Sequence, residues 1–252
     1  MKIVTWNVNG IRARHVQLQE LVAAESPDVV CLQEIKASPD QVPDLLGTTA
    51  DHWCYWHGAG GYSGVALLVR HSFFMKRPAC HHPSFDMEHR VVVAELDGLT
   101  VASVYVPNGG KDYDAKVKFF TSFTEWAKAT AAAGRDVLIC GDLNIAREER
   151  DVHPKERKPN QVGARPEERA LLADLLAGGF VDVGRALDPD NDELFTWWAP
   201  WRNLRERNIG WRLDYIAAHH ALVDGAVTCK AYRDVGTSDH APVIAHLRDT
   251  PL

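Results

Sequence analysis

Residues 2–36 read KIVTWNVNGIRARHVQLQELVAAESPDVVCLQEIK, and the order of their patterns decides the fold class. Lys2–Val8 alternates, with Val4, Trp6 and Val8 on one side and Ile3, Thr5 and Asn7 on the other, which predicts a half-buried strand. From Arg12 to Glu25 the spacing of Leu18, Leu21, Val22 and Glu25 is helical, and Ser26-Pro27 stops the helix. Asp28–Gln33 is a short apolar strand. Strand, helix, strand is α/β order.

Outward from this unit, 64–70, 91–96 and 100–106 read as strands, the last two joined by an Asp97-Gly98 turn. Residues 114–133 read as a helix whose inner side carries Val117, Phe120, Phe123 and Thr124, with Gly134 as its cap. Val137–Cys140 reads as a buried strand running into Gly141-Asp142-Leu143-Asn144. Pro166 opens another helix, striped by Leu171, Leu172, Leu175 and Leu176 and ended by Gly178-Gly179. The stretches 213–218, 226–232 and 242–247 are expected to be closing strands. Many strands and few helices predict two packed sheets flanked by helices. No GxGxxG or P-loop pattern points to a nucleotide-binding sheet instead. Without a repeat or an obvious linker, the expectation is one domain over residues 1–252.

With 46% hydrophobic and 25% charged residues in 252, composition is that of a globular chain. No apolar run of about 18 residues is present, which excludes a helical membrane span. The opening Met-Lys-Ile-Val-Thr-Trp-Asn lacks an export leader's pattern, so a cytoplasmic protein is expected. Five cysteines, without a CxxC pair, read as small apolar residues in a reducing compartment, with Cys31, Cys140 and Cys229 in strand-like stretches. The net charge of −6 argues against a general nucleic-acid coat. Two stretches are locally basic: Lys155, Arg157, Lys158 and Arg165 against Glu156, and Arg202, Arg205, Arg207 and Arg212 against Glu206. They predict a basic rim around an acidic centre.

That acidic centre is foreshadowed by polar residues at strand ends. Asn7 and Asn9 follow the first strand, Gln33-Glu34 the second, and Asp142 and Asn144 the Val-Leu-Ile-Cys-Gly run. Asp214 lies in Trp211–Tyr215, and Ser238-Asp239-His240 precedes the last strand. Carboxylates are costly to bury unpaired, so their co-occurrence predicts a shared ligand. Glu34 and Asp239 are hard oxygen donors of the kind Mg²⁺ takes. His240 and Asp214 fit an imidazole and its orienting carboxylate, and Asp142 with Asn144 suits placing a water.

Together, Trp6–Gly10, Leu32–Lys36, Gly61–Val65, Tyr105–Asn108, Gly141–Asn144, Gly210–Tyr215 and Ser238–Pro242 resemble, in order, the exonuclease III family of apurinic/apyrimidinic endonucleases. The resemblance runs from about residue 1 to 248. It implies the four-layered α/β sandwich of the wider Mg²⁺-dependent endonuclease/exonuclease/phosphatase superfamily, two packed, mostly antiparallel sheets between helices. It also implies roles: Glu34 holds Mg²⁺ (Mn²⁺ substituting), with Asp239, Asn7 and Asn9 nearby. Asp142 orients and deprotonates the attacking water, helped by Asn144. His240, oriented by Asp214, and Tyr105 support the phosphate's transition-state charge. The implied reaction leaves a 3′-hydroxyl and a 5′-phosphate on duplex DNA with abasic sites or blocked 3′ ends, and the implied enzyme works as a monomer.

By the same resemblance, Trp197, Trp211 and Leu213 line a slot for a flipped-out, base-free sugar. Tyr62, Lys111 and Trp201 press on the duplex, and Asn108, Lys36 and Arg202 hold phosphates. Asn9 stands where many relatives carry an acid, and Lys111 where some carry an arginine. The core motifs Glu34 and Asp239-His240 would equally fit a phosphoinositide, sphingolipid or RNA phosphodiesterase. The tryptophans and the arginine-rich stretch favour DNA.

Overall fold

The computed structural model describes residues 1–42 and 51–248; positions 43–50 and 249–252 of the expected 1–252 span lie outside the described residues. In chain order the strands are β1 (Lys2–Asn7), β2 (Val29–Gln33), β3 (His52–His57), β4 (Val65–Arg70), β5 (Ala79–His81) and β6 (Val91–Glu95). They continue with β7 (Leu99–Tyr105), β8 (Asp136–Asp142), β9 (Phe180–Asp182), β10 (Asp214–His219), β11 (Ala226–Ala231) and β12 (Val243–Leu247). Among the described residues the α-helices are α1 (Ile11–Glu25), α2 (Tyr113–Ala132), α3 (Pro166–Ala177), α4 (Val183–Leu187) and α5 (His220–Val223).

Two six-stranded sheets form, ordered β11-β12-β1-β2-β4-β3 and β5-β6-β7-β8-β10-β9. Each is built round one parallel pair bridged by a helix: β1-α1-β2 in the first, β7-α2-β8 in the second. The other pairings are antiparallel. This is the α/β sandwich that the sequence predicted. Ile3, Cys31 and Leu67 of the first sheet meet Val101, Leu138 and Ile216 of the second in the central core. On the outer faces, α1 packs Leu18 and Leu21 beside Val4 and Trp6, while α2 packs Phe119, Phe120 and Phe123 beside Val104 and Ile139. Burying each such ring contributes about 1.5–3 kcal/mol.

β1 departs from expectation. It is buried on both faces rather than one, because a helix covers the Val4–Trp6 side and the second sheet covers the Ile3–Thr5 side. The polar residues facing the second sheet satisfy one another: Thr5 Oγ1 donates to Gln33 Oε1 (3.2 Å), and Gln33 Nε2 to Ser103 Oγ (3.1 Å). Strands β3, β5 and β9 were not anticipated. β5 and β9 are three residues long and carry no periodicity of their own, so pairing with β6 and β10 makes them strands. Cys31, Cys140 and Cys229 are buried as expected, and no cysteine is in a disulfide among the described residues. Nor is any helix among them long and apolar enough to cross a membrane.

Arg212, expected on a basic rim, is buried. Its Nε lies 3.0 Å from Asp151 Oδ1, and its two terminal nitrogens bond Asp182. Arg185 Nη2 also reaches Asp151 (2.7 Å), and Arg147 Nη1 reaches Asp182 (3.1 Å). A cation immediately before β10 is drawn inward because two buried carboxylates need it. Burial pushes the Asp182 carboxyl up, but Arg212, the Arg185 N–H and Arg147 outweigh it and hold it below the ordinary carboxylate range. A depressed folded value contributes stability above the unfolded pKa of about 4 and loses it as pH falls through the folded one. Asp182→Asn is therefore expected to lower urea stability at pH 7 by about 3–5 kcal/mol, since it leaves arginines underpaired. The gap to wild type should close as pH drops below about 4; a gap independent of pH would contradict the ion-pair account.

Candidate active site

The carboxyl ends of the two parallel pairs point to one place. Asn7 pairs with Gln33 at the end of β1 and β2, and Tyr105 with Asp142 at the end of β7 and β8. Antiparallel β10 sets Asp214 opposite Asp142. Antiparallel β12 brings the preceding Ser238–His240 segment to the end of β1, where Ser238 Oγ donates to the Asn7 carbonyl (2.7 Å). Topology thus gathers acids far apart in sequence.

Leaving the strands costs backbone strain. Asn9, Glu34 and Asn144 adopt left-handed φ of 43°, 49° and 52°, a conformation that costs a residue other than glycine about 1–3 kcal/mol. Backbone bonds hold the turn at Glu34: Gly10 N–H donates to its carbonyl (2.7 Å) and Ile35 N–H to the Gly64 carbonyl (3.0 Å). Gly64 itself has φ +88°, and a Cβ there would lie 2.6 Å from Ile35 Cγ1, so glycine is required.

Asn7 Nδ2 bridges Glu34 Oε1 and Asp142 Oδ2, at 3.0 Å each. Asn144 donates its backbone N–H to Asp142 Oδ1 (2.9 Å) and its amide to Oδ2 (3.2 Å), and Asn108 Nδ2 donates to Asn144 Oδ1 (3.2 Å). His240 Nδ1 lies 2.8 Å from Asp214 Oδ2, which also accepts from Thr196 Oγ1 (2.6 Å). That pairing aims His240 Nε2 toward Asp142 Oδ2, 3.8 Å away. Asp239 accepts from Asn9 Nδ2 (2.7 Å) and Trp197 Nε1 (3.0 Å).

The electrostatics follow from burial and crowding. Burial, then the negative charges of Asp214 and Glu34, outweigh His240 and push the Asp142 carboxyl up to about 7. Burial opposes charge on His240, but Asp214 wins, with Asp142 and Asp239 adding, and the imidazole is pushed up to about 10. Glu34 resists burial through Asn7 and Lys36 and stays below the usual range. Burial and the neighbouring Glu34 and Asp142 push the Tyr105 phenol well up, so it stays protonated at neutral pH and can donate a hydrogen bond.

This excess of negative charge fits a divalent cation. Glu34, Asp142 and His240 each offer one ligand atom within 4.8 Å of the others. The two carboxylates, with the Asn7 NH₂ against both, are hard oxygen donors suited to Mg²⁺. The Lys36 ammonium sits 2.9 Å from Glu34 Oε2 and donates to Asn9 Oδ1, neutralising the same charge. Asp239 and Asn9 lie one hydrogen bond outside, oriented by each other and by Trp197.

The aromatic residues expected to line a slot pack beside the acids. Trp211 and Leu213 are buried together with Val152 and Ala146, and Trp197 packs on them. The Trp197 ring centroid is 6.3 Å from that of Trp211 and 6.4 Å from that of His240. Tyr62 and Trp201 are exposed, at 56% and 59%, and Lys111 and Arg202 are also at the surface. Trp198 and Trp6 are core residues. Arg205, counted toward the basic rim, spends its guanidinium on the carbonyls of Arg233, Val235 and Ser238.

Three supports escaped sequence reasoning. Thr196 Oγ1 fixes Asp214 and accepts from the Leu213 and Asp214 N–H groups (3.0 Å each). Buried Arg90 lies 4.7 Å from the Tyr105 ring centroid and donates to Tyr62 Oη (2.8 Å). Buried Lys116 donates to the Asn108 and Asn144 carbonyls and to Glu168. The inner side of α2 is centred on Lys116, Phe119, Phe120 and Phe123, not on Val117, which is only half-buried. A lysine in register with that apolar stripe was the available signal.

The model of the endonuclease/exonuclease/phosphatase family matches residues 4–240. The DNA repair nuclease of Danio rerio is 35% identical over 98% of this chain and 82% of its own length. The exodeoxyribonuclease of Bacillus subtilis is 32% identical over 96% of this chain and 98% of its own. The solved AP endonuclease of Archaeoglobus fulgidus superposes with a TM-score of 0.89 at 28% identity, covering 98% of this chain and 99% of that one.

Proposed function

The chain belongs to the endonuclease/exonuclease/phosphatase family, in its exonuclease III and AP-endonuclease branch, and is a nuclease hydrolase; from this we propose a Mg²⁺-dependent DNA repair nuclease that cuts 5′ of abasic sites. It leaves a 3′-hydroxyl and a 5′-phosphate, trims duplex 3′ ends and removes 3′ blocks. It works as a cytoplasmic monomer on duplex DNA.

One observation carries the reading: the Asp142 carboxylate and His240 Nε2 face each other at 3.8 Å with the Trp197–Trp211 corner alongside. Asp142 orients a water and takes its proton, held in place by the Asn144 and Asn7 amides. The His240 imidazolium, kept charged by Asp214, donates to a phosphate oxygen as negative charge builds there. Tyr105, beside Asp142 at the end of the neighbouring strand, serves the same phosphate, and Asn108 a neighbouring one. Glu34, with Asp239, Asn7 and Asn9 near it, would hold the cation, which would supply charge neutralisation at the phosphate. Trp197, Trp211 and Leu213 receive the flipped-out sugar that lacks a base. Tyr62, Lys111, Trp201, Arg202 and, once displaced from Glu34, Lys36 contact the duplex.

Cleavage of a synthetic abasic duplex in Mg²⁺, abolished by EDTA, is the expected result. Trp211→Ala should lower the preference for abasic over intact duplex by about tenfold or more, or 1.4 kcal/mol. An uncut abasic duplex in both conditions would refute the reading.

A further inference from the structure

A second metal-ligating constellation lies away from the acids just described, where the edges of the two sheets meet. β3 is the edge strand of the first sheet and β5 that of the second. His57 ends β3, His82 follows β5, and Asp86 lies in the loop leading to β6. One ligand atom from each falls within 4.8 Å of the other two.

The three side chains are prepared in the manner of metal ligands. The rings of His57 and His82 stack nearly parallel, 11° apart with centroids 3.5 Å from each other, so seating one ion in both ring planes requires the exposed His82 ring to turn out of the stack. His82 Nδ1 is 3.3 Å from the Val91 carbonyl. With its proton directed there, the ring is neutral and its Nε2 lone pair is left for a ligand. Such a hydrogen bond to the far nitrogen is the usual orienting device of a metal-bound histidine. Asp86 is divided in the same way. Its Oδ1 accepts the Arg90 and Val91 N–H groups (2.8 and 2.9 Å), while Oδ2 is free of the loop and meets His57 Nε2 at 2.6 Å. The His89 ring lies 4.6 Å from that of His57. His82 is exposed, so an ion has an open path.

We propose that His57, His82 and Asp86 form a binding site for a borderline divalent transition ion, represented by Zn²⁺, that staples the edge of one sheet to the edge of the other. Two imidazoles and one carboxylate make a donor set that Zn²⁺ takes tetrahedrally with a fourth ligand, and that Mg²⁺ does not favour. Because Asp86 Oδ1 holds the Arg90 backbone, the ion would also fix the loop whose Arg90 supports Tyr62 and Tyr105.

The test needs no turnover. The full chain carrying Glu34→Gln, which disables the acidic centre as a competing site, is titrated with Zn²⁺ by calorimetry in excess Mg²⁺. Co²⁺ absorption serves as a second readout of tetrahedral nitrogen–oxygen ligation. One Zn²⁺ per chain is expected to bind, and adding His82→Asn should weaken it by about tenfold or more and remove the Co²⁺ bands. His57→Gln, on the other sheet's edge strand, should do the same. Superimposable isotherms with and without His82→Asn would overturn the proposal, as would loss of Zn²⁺ binding on Glu34→Gln alone.

Discussion

Asp142→Asn lowers kcat on an abasic duplex by about 10³-fold or more while leaving duplex affinity within a few-fold of wild type. The carboxylate sits where a water-activating base must sit, and general-base catalysis alone contributes about 10²–10⁴. The substitution keeps the volume of the buried side chain but fails chemically in two ways. An amide cannot accept a proton at this pH. Its NH₂ would also confront donors, because Asn7 Nδ2 and Asn144 Nδ2 both aim at Asp142 Oδ2. Affinity survives because the groups assigned to the duplex, Tyr62, Lys111, Trp201 and Arg202, lie on the surface. Loss of one negative charge would even favour a polyanion. Single-turnover cleavage with a parallel binding titration reads both quantities. A fall in kcat of less than tenfold would move the base elsewhere, with Glu34 the nearest candidate, one Asn7 amide away.

Much of this site was legible because strand ends are legible. Polar residues that interrupt apolar runs at Asn7, Glu34, Asp142 and Ser238 mark where a chain leaves a buried sheet, and the parallel pairs then place those exits together. Nothing in the spacing stated which strands would be neighbours. The convergence came from the ordered motifs as a set. What sequence hid was role reversal among cations. Arg212 and Lys116 carry the same formal charge as Arg202 and Lys111, yet the first two are buried on carboxylates and carbonyls and the last two face solvent. A charge run records net composition, whereas burial depends on which carboxylates the fold sets opposite. Lys36 shows the same effect at the surface: a phosphate-binding expectation meets an ammonium already engaged by Glu34. The left-handed turns at Asn9 and Asn144 suit asparagine, but the one at Glu34 has no local signal. Tertiary bonds to Gly10 and Gly64 impose it.

Asp214→Asn is expected to reduce kcat by about 10²–10⁴, the range seen when an imidazole loses its orienting carboxylate. Asp214 does two things to His240, fixing the ring through Nδ1 and stabilising its positive charge, and is itself held by Thr196 Oγ1. With the histidine pushed up to about 10, the imidazolium persists through neutral pH and is lost only as pH rises through that value. In the variant the protonated ring loses its largest favourable partner, so the alkaline limb of the activity profile should move toward neutrality. A purely structural Asp214 would lower activity without moving that limb. The decisive comparison is a double substitution. If Asp214 acts only by holding and charging His240, then Asp214→Asn placed in a His240→Ala chain has nothing left to remove, and the pair should cost little more than His240→Ala alone. If the two losses multiply instead, Asp214 must reach the substrate or the cation by itself. Its Oδ1, buried and without a hydrogen-bond partner, would then be the atom that does so.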